Sequence, residues 1–541
     1  MKIYFFVSFL FIFIQYCQSQ TSSTVLISWD PDTPLQTVLP TYLSVNIDSG
    51  SLNQLFDFND PILQTLTTNL VHAAPTQLRI GGGAADDLAF TGINGISGPC
   101  NFSTNINVCV NASYMTSILN FADITGIQLV FDLNAAIRLN DDPKNAWNST
   151  NAELLFEFLS NSPNADTIIA FQLGNEPEDW YKRNPPINIT GSNLAADYAT
   201  LQSLLTKYPT LTSTVYGPDA CCESRRAILE DFTIAASKTT PPLVSAVTVH
   251  EYPISRALND SCLPDLFISK AAITSLTPSL LEYASKSTAL TNLKVPLILG
   301  ETATSAHGGC NNLSNVFVSG FTFIYELGSV GESPNFVQLN RQDLAGFSSQ
   351  SEPSNYGLIG SPGWKSGDIL PPHPDYFTAL LFKYLVSTVV MNSSYASMDD
   401  PVGIELGVDI HAWCGRIGGG IVILTYFNLL SHSVNISLPT SATSNRRNEY
   451  ILTATSSSSS SNFDKRDMES GVSSTPPPEL YQNSIYLNGE LLSVNDDGTL
   501  PTWPFPGRPV PADSHPIIVP AYSYGFIELL DAGAAGACTG C

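Results

Sequence analysis

Basic residues are scarce in this chain: 23 lysines and arginines face 48 aspartates and glutamates, a formal net charge of -25 over 541 residues. Such a field repels polyanions, excludes a general nucleic-acid binder, and disfavours a highly sulfated substrate unless a local basic patch overrides it. Long apolar runs are missing beyond the N-terminus, so no integral membrane span is expected. The ten cysteines do not supply the paired Cys-X-X-Cys spacings of a structural zinc site, and no metal or organic cofactor is implied. The final stretch, Gly536-Ala-Cys-Thr-Gly-Cys541, carries neither a retention signal nor an apolar anchor.

What stands at the N-terminus is a charged start, an apolar core ending near Ile14 and a small-residue exit near Ser19. This reads as a signal peptide over 1–19, too short in its apolar part for the roughly 20 residues that span a bilayer. Asn-X-Ser/Thr sequons at Asn101, Asn111, Asn148, Asn188, Asn259, Asn312, Asn392 and Asn435 agree with secretion. The mature protein is expected to be secreted, extracellular or lysosomal, with a monomer as the expected state. In an oxidising compartment disulfides are the default. Cys100 and Cys109 bracket a short Asn-rich loop and form the first expected pair; Cys221, Cys222, Cys262 and Cys310 fall on loops and remain unassigned.

Between residues 42 and 385 apolar runs alternate with amphipathic stretches, which predicts a (β/α)8 barrel, an α/β TIM barrel fold. Strands are expected at 43–48, 77–81, 127–134, 167–176, 213–217, 244–252, 295–301 and 335–340, with helices such as 151–160 and 195–208 between them. From 386 to 541 the texture changes to short alternating strands, 421–428, 433–438, 484–491 and 522–530, which predicts a β-sandwich interrupted by a Ser/Pro-rich loop near 453–479. The segment 20–41 contains a strand-like run at 23–29 and is expected to join that sandwich.

Two apolar runs end in a glutamate: Phe171-Gln-Leu-Gly-Asn-Glu-Pro177 and Pro296-Leu-Ile-Leu-Gly-Glu-Thr302. In a barrel, the C-terminal tips of strands four and seven would deliver both carboxylates into one cavity. A retaining glycosidase needs such a pair, one acid/base and one nucleophile, roughly 5 to 5.5 Å apart. Unequal surroundings are then expected to split their pKa values, so that one keeps its proton near neutrality while the other is ionised.

Leu173-Gly-Asn-Glu-Pro177, Gly300-Glu-Thr302 with His307-Gly-Gly309, Leu487-Asn-Gly489 and Pro520-Ala-Tyr-Ser-Tyr524 resemble the heparanase-like enzymes of glycoside hydrolase family 79, clan A. Further ordered matches are Arg79-Ile-Gly-Gly82, Phe131-Asp-Leu-Asn-Ala-Ala-Ile-Arg138, Tyr216-Gly-Pro-Asp219 and Pro374-Asp-Tyr376. The resemblance implies that Glu176 is the acid/base and Glu301 the nucleophile, that Asn175 meets the sugar 2-hydroxyl, and that Tyr252 in His250-Glu-Tyr252 orients the nucleophile. Asp48 and Gln342 match positions lining the sugar site. Tyr356 and the backbone amides of Gly308 and Gly309 match the groups that recognise a uronate carboxylate, so the implied partner is a glucuronic-acid-containing oligo- or polysaccharide. Cys414 and Cys538 match a sandwich-stapling disulfide, with Cys541 a competing partner.

Departures from the family pattern concern the polymer. Of the basic clusters that the resemblance places beside the cleft, Lys182, Arg183, Arg225 and Arg226 remain, with Lys182 and Arg225 the expected substrate contacts, but Glu178, Asp179 and Glu223 are interleaved with them and residues 105–120 contain no Lys or Arg. This argues against heparan sulfate and leaves pectic or arabinogalactan-like glucuronides and short oligosaccharides open. Only a short loop occupies the place of the excised linker of animal heparanase, so an active single chain is expected. The competing readings are a non-catalytic glycan-binding relative and a retaining hydrolase of neutral β-hexosides.

Overall fold

The computed structural model describes residues 23–103, 106–221, 227–254, 262–291, 294–347, 353–360, 370–398, 407–442, 444, 446–456, 476–512 and 516–538. The expected signal peptide, Asn259, Cys222, Arg225, Arg226, Cys541 and most of the Ser/Pro-rich loop lie outside them.

Eight parallel strands form one sheet: β1 (Leu43–Asp48), β2 (Gln77–Gly81), β3 (Gln128–Leu133), β4 (Ile168–Leu173), β5 (Tyr216–Cys221), β6 (Ala246–His250), β7 (Leu297–Thr302) and β8 (Phe336–Arg341). They pair in the order β4-β3-β2-β1-β8-β7-β6-β5. The last seam is held by a bridge between Phe171 and Val215, where Phe171 N–H donates to Thr214 O at 3.0 Å. Each strand is followed by a helix: α1 (Pro61–Ala73), α2 (Ala112–Thr125), α3 (Thr150–Leu159), α4 (Gly191–Leu205), α5 (Ala227–Ala236), α6 (Leu276–Thr291), α7 (Ser319–Glu332) and α8 (Pro374–Leu385). Local sequence starts these helices cleanly. Asp60 accepts from the amides of Ile62 and Leu63, with Pro61 in the first turn, and Asn111 accepts from Tyr114 N.

The barrel strands are buried on both faces, yet they alternate in character. In β1, Leu43, Val45 and Ile47 belong to the apolar core, while Ser44, Asn46 and Asp48 are buried polar residues. Burying amides and hydroxyls is tolerable because they satisfy one another. Gln338 Nε2 donates to Gln77 Oε1 and to Asn340 Oδ1, both at 2.8 Å, and Asn46 Nδ2 donates to Gly300 O at 3.0 Å. This polar interior is what the functional side chains grow from.

Strand five departs from expectation: it runs Tyr216–Cys221 rather than 213–217. Gly217-Pro218 resembles a stop, but Gly217 is needed inside the barrel, since a Cβ there would lie 2.1 Å from Tyr198 Oη.

The second sheet contains the N-terminal strand Thr24–Thr37 and β9 (Val386–Ser397), β10 (Val408–Gly415), β11 (Val422–Asn428), β12 (Val434–Ser437), β13 (Arg447–Thr453), β14 (Ile517–Val519) and β15 (Ser523–Leu529). The N-terminal strand pairs antiparallel with β9 and parallel with β12, so both chain ends build this unit. Val25, Ile27, Ile436 and Val519 pack with Ile410, Leu424 and Ile527, which closes the sheet over its own apolar core. Residues 484–491, expected as one strand, form instead the short pair Tyr486–Leu487 and Glu490–Leu491. They reverse at Asn488 and Gly489, whose φ values of 52° and 91° suit an Asn-Gly hairpin turn. The outer face of the sheet packs on α7, which is buried along its length. A Cβ on Gly320 or Gly328 would meet Tyr524 at 2.1 Å or His411 at 2.0 Å, so glycine permits that close approach.

Three disulfides occur among the described residues: Cys100–Cys109, Cys262–Cys310 and Cys414–Cys538. The first joins the two arms of the hairpin formed by Gly98–Ser103 and Ile106–Val110. The second ties the loop after β6 to the loop after β7, a pairing that cysteine spacing alone left open. No described helix is long and apolar enough to cross a membrane.

Candidate active site

Glu301 belongs to β7 itself, whereas Glu176 lies three residues beyond the end of β4. The chain turns there through Gly174 (φ 79°) and Glu176 (φ 45°). Gly174 has no alternative, because a Cβ would stand 2.5 Å from the Trp180 ring and 2.7 Å from Ala135 Cβ. The turn is fixed at both ends. Asn175 N–H donates to Asp86 Oδ2 at 3.1 Å, and Glu176 N–H donates to Asp219 O at 3.0 Å. One oxygen of Glu176, one of Glu301 and one ring nitrogen of His250 come within 4.8 Å of one another.

Arg79, from the middle of β2, organises the floor. It is fully buried, and donates from Nη1 to Glu301 Oε2 at 3.0 Å, from Nη2 to Asn175 Oδ1 at 2.8 Å and Asp219 Oδ2 at 3.0 Å, and from Nε to Gln172 Oε1 at 2.8 Å. Arg79 thereby fixes the Asn175 amide through its Oδ1. The other oxygen of Glu301 accepts a short hydrogen bond from the Tyr252 hydroxyl. Glu301 is thus gripped on both oxygens, which fixes its orientation.

His250 stands between the two glutamates. Its Nδ1 lies 3.2 Å from Glu176 Oε1 and 3.9 Å from Glu301 Oε2, and its Nε2 lies 3.5 Å from Asp219 Oδ1. Burial alone would lower the imidazole pKa, but Glu301, Asp219 and Glu176 outweigh it and push it up to about 10. Glu176 moves the opposite way to the expectation of a carboxyl that keeps its proton near neutrality. Burial raises it, yet the His250 hydrogen bond and charge, aided by Cys221 and Arg79, hold it below the ordinary glutamate range. The balance of charges at this pair therefore favours a proton on the imidazole over one on the carboxyl. Around this pair Asp132 is pushed up by burial and by Asp219, and Glu178, buried beside the same turn, is pushed up to about 8 chiefly by burial.

Asp48 ends β1 beneath the Gly50 amide, which donates to it at 2.7 Å; burial raises its pKa, and Glu301 is among the charges acting on it. Tyr356 and Tyr252 share an apolar cluster with Ala303. Gln342 hydrogen-bonds the Tyr356 side chain, and Glu301 is again a close charge. Gly308 and Gly309 take φ values of 81° and 72°, and a Cβ on Gly309 would lie 2.9 Å from the Tyr356 ring. The Gly309 amide also closes a turn onto Ala306 O at 3.3 Å. Asp48, Tyr252 and Tyr356 thus lie close to Glu301, Asn175 shares Arg79 with it, and Gln342 and Gly309 pack on Tyr356.

Other expected residues stand apart. Lys182 is exposed and turned to Asp179 at 2.6 Å, a surface ion pair. Glu251, the departure beside His250, is approached by the Tyr283 hydroxyl of α6 at 3.4 Å. Of the sequons, Asn101, Asn188, Asn312 and Asn392 are exposed, and Asn148 and Asn435 are half-buried. Asn111 caps α2 and donates from Nδ2 to Gly95 O at 3.0 Å, so a glycan on that nitrogen would displace a structural bond.

Glu176, His250 and Glu301 are close enough to share a divalent ion, but the donor set does not fit a resident one. Arg79 and Tyr252 already occupy the two Glu301 oxygens. The sequence placed His250 in a functional stretch without revealing its partners, and gave Arg79, Asp219 and Gln172 no role. Their motifs, Arg79-Ile-Gly-Gly82 and Tyr216-Gly-Pro-Asp219, were visible, but a buried charge within a strand gives no local signal of what it touches.

A barrel that brings two carboxyls together at its C-terminal face, on a polar floor and beside an apolar wall, defines a glycosidase. The chain matches the model described as "Glycosyl hydrolase family 79, N-terminal domain" over residues 43–328. It belongs to glycoside hydrolase family 79. It is 26% identical to the heparanase of Mus musculus over 548 residues, covering 92% of each chain. It is 25% identical to baicalin-beta-D-glucuronidase of Scutellaria baicalensis over 512 residues, covering 87% of this chain and 83% of that one. In fold it is similar to a 4-O-alpha-L-rhamnosyl-beta-D-glucuronidase from Fusarium oxysporum, with a TM-score of 0.65 at 16% identity, covering 94% of this chain and 100% of the other.

Proposed function

We propose that this protein is a retaining β-glucuronidase that cleaves β-glucuronidic linkages in an extracellular or lysosomal glycan by double displacement. One observation carries the reading: the Glu176 and Glu301 carboxyls approach within 4.8 Å, a separation suited to attack rather than to a water held between them. Glu301, held by Arg79 and aligned by Tyr252, attacks the anomeric carbon. The leaving oxygen takes a proton from Glu176, which is resupplied by His250 Nδ1 across 3.2 Å. Once Glu301 is esterified its negative charge disappears and His250 loses a strong reason to hold a proton. Glu176 then acts as base on the incoming water, and the hydrolysed ester restores the starting charges.

The relatives named as heparanase and as β-glucuronidases support the sugar class. Asn175 Nδ2 meets the 2-hydroxyl, Asp48 and Gln342 meet other ring hydroxyls, and the Tyr356 hydroxyl with the amides around Gly308 and Gly309 recognises the uronate carboxylate. The three disulfides fit a secreted or lysosomal protein. The test is hydrolysis of an aryl β-glucuronide beside an aryl β-glucoside between about pH 4 and 7, with the anomer of the first-formed product read by NMR. Release of β-glucuronic acid supports the reading. Release of the α-anomer, preference for the glucoside, or no turnover by folded protein would sink it.

A further inference from the structure

The turn expected to take the uronate carboxylate is built from three consecutive residues in the left-handed region: His307, Gly308 and Gly309, with φ values of 54°, 81° and 72°. The local chain does not prefer such a turn. His307 adopts it against a steric cost, and two glycines in succession leave the backbone with wide conformational freedom. Within the turn the Gly309 amide reaches Ala306 O only at 3.3 Å, a long hydrogen bond. Its shape must therefore be imposed by what surrounds it.

Three neighbours frame it. From the loop after β8, Asn355 N–H donates to Gly308 O at 2.7 Å, and the Tyr356 ring lies where a Gly309 Cβ would meet it at 2.9 Å. On another side, buried Ser314 accepts at its Oγ from Cys310 N at 2.9 Å and from the Thr304 hydroxyl at 2.7 Å. The third neighbour is covalent. Cys310, next in the chain after Gly309, is bonded to Cys262. Cys310 is buried and Cys262 is exposed, so the bridge anchors the end of the turn to chain beyond β6, the strand that leads into Tyr252.

The covalent tie differs in kind from the other two. A hydrogen bond can be exchanged for one to water when a turn shifts, whereas a disulfide confines the turn whatever water does. That matters for a carboxylate, because short charge-assisted bonds from backbone amides form only where the amides already point at its oxygens. A neutral hydroxymethyl group asks less of the same turn.

We propose that the Cys262–Cys310 disulfide is a specificity-determining element: by holding the turn at 307–309 in one shape, it sets the preference for a uronate over a neutral hexose. The two cysteines are positioning residues that act through the turn. The proposal rests on the β-glucuronidase reading.

Cys262→Ser opens the bridge at its exposed end and leaves Cys310 in its buried place. In steady-state kinetics on an aryl β-glucuronide and the matching aryl β-glucoside, KM for the glucuronide should rise about tenfold, with kcat within about twofold and the glucoside constants unchanged. Inhibition by free glucuronate and by glucose gives the same comparison where the glucoside is cut too slowly to read. A bridge that only stabilises the fold would lower the melting temperature and leave the preference alone. Ser314→Ala is the companion variant, removing the acceptor of the Cys310 amide with the bridge intact, and it should keep the preference within about threefold. An unchanged preference in Cys262→Ser, an equal loss on both sugars, or a lost preference in Ser314→Ala would overturn the proposal alone. Wild-type protein that cuts no glucuronide would overturn both it and the reading beneath it.

Discussion

His250 Nδ1 lies 3.2 Å from Glu176 Oε1, and the two form a single proton-holding unit rather than two independent acids. With the imidazole pushed up to about 10 and the carboxyl held low, the proton used in catalysis stays on the pair well above neutrality. In His250→Asn the proton has only Glu176 to occupy, so the alkaline limb of kcat/KM should move to lower pH by about one unit or more. Turnover of poor leaving groups near neutrality should fall about a hundredfold. A pH profile on an aryl β-glucuronide reads both effects; an unmoved alkaline limb would exclude His250 as the proton store.

The two glutamates should fail differently. Glu301→Ala removes the nucleophile and should abolish turnover of every glycoside. Glu176→Ala should keep measurable glycosylation with a good aryl leaving group, which departs without a proton, and lose about a thousandfold with a poor one. Stopped-flow release of aryl alcohols of graded acidity separates these cases. An equal loss across the series in Glu176→Ala would count against its role as acid.

Arg79 has a structural as well as a chemical task. It lies at 3.0 Å from both Glu301 and Asp219 and at 3.7 Å from Asp132, with no exposure. Removing one partner of a buried ion cluster strands the others, so Arg79→Met should cost about 3–5 kcal/mol of stability as well as activity. Equilibrium urea unfolding measures the first loss independently of the second. A variant as stable as the wild type would mean that the surrounding acids are neutralised another way.

The sequence pattern announced the barrel because each strand is an apolar run between turn signals, and all eight expected strands overlap those observed, with ends shifted by a few residues. It announced Glu176 and Glu301 because each interrupts such a run. It did not announce Arg79, Asp219 or Gln172, for a related reason: inside a barrel every second residue points inward, and a polar residue there is indistinguishable in sequence from one at a strand edge. Strands β9, β10, β13 and β14 were missed too, β13 because Arg447 and Glu449 place charges within it; their carboxylate–guanidinium pair at 2.7 Å is buried. The proton on His250 was unreadable for a deeper reason, since it depends on three acids from three other strands or loops.

Those long-range charges also act where the barrel meets the second sheet. His411 of β10 sits against α7, with Nδ1 3.0 Å from Glu332 and Nε2 3.6 Å from Asp409; Lys270 is 3.6 Å from Asp409 and Tyr325 stacks nearby. Burial would lower its pKa, but Glu332 and Asp409 prevail over burial and over Lys270 and push it up to about 9. A folded pKa above the unfolded value of about 6.5 means that the charged imidazole stabilises the fold fully below pH 6.5, and that this contribution fades as pH rises through about 9. Its size is on the order of 3 kcal/mol, from about 1.4 kcal/mol per pKa unit. The melting temperature of His411→Gln should therefore lie below that of the wild type near pH 6, and the gap should close as pH approaches 10. Differential scanning calorimetry across that range checks the sign directly, and a gap that widens with pH would show that the imidazole is neutral at this interface.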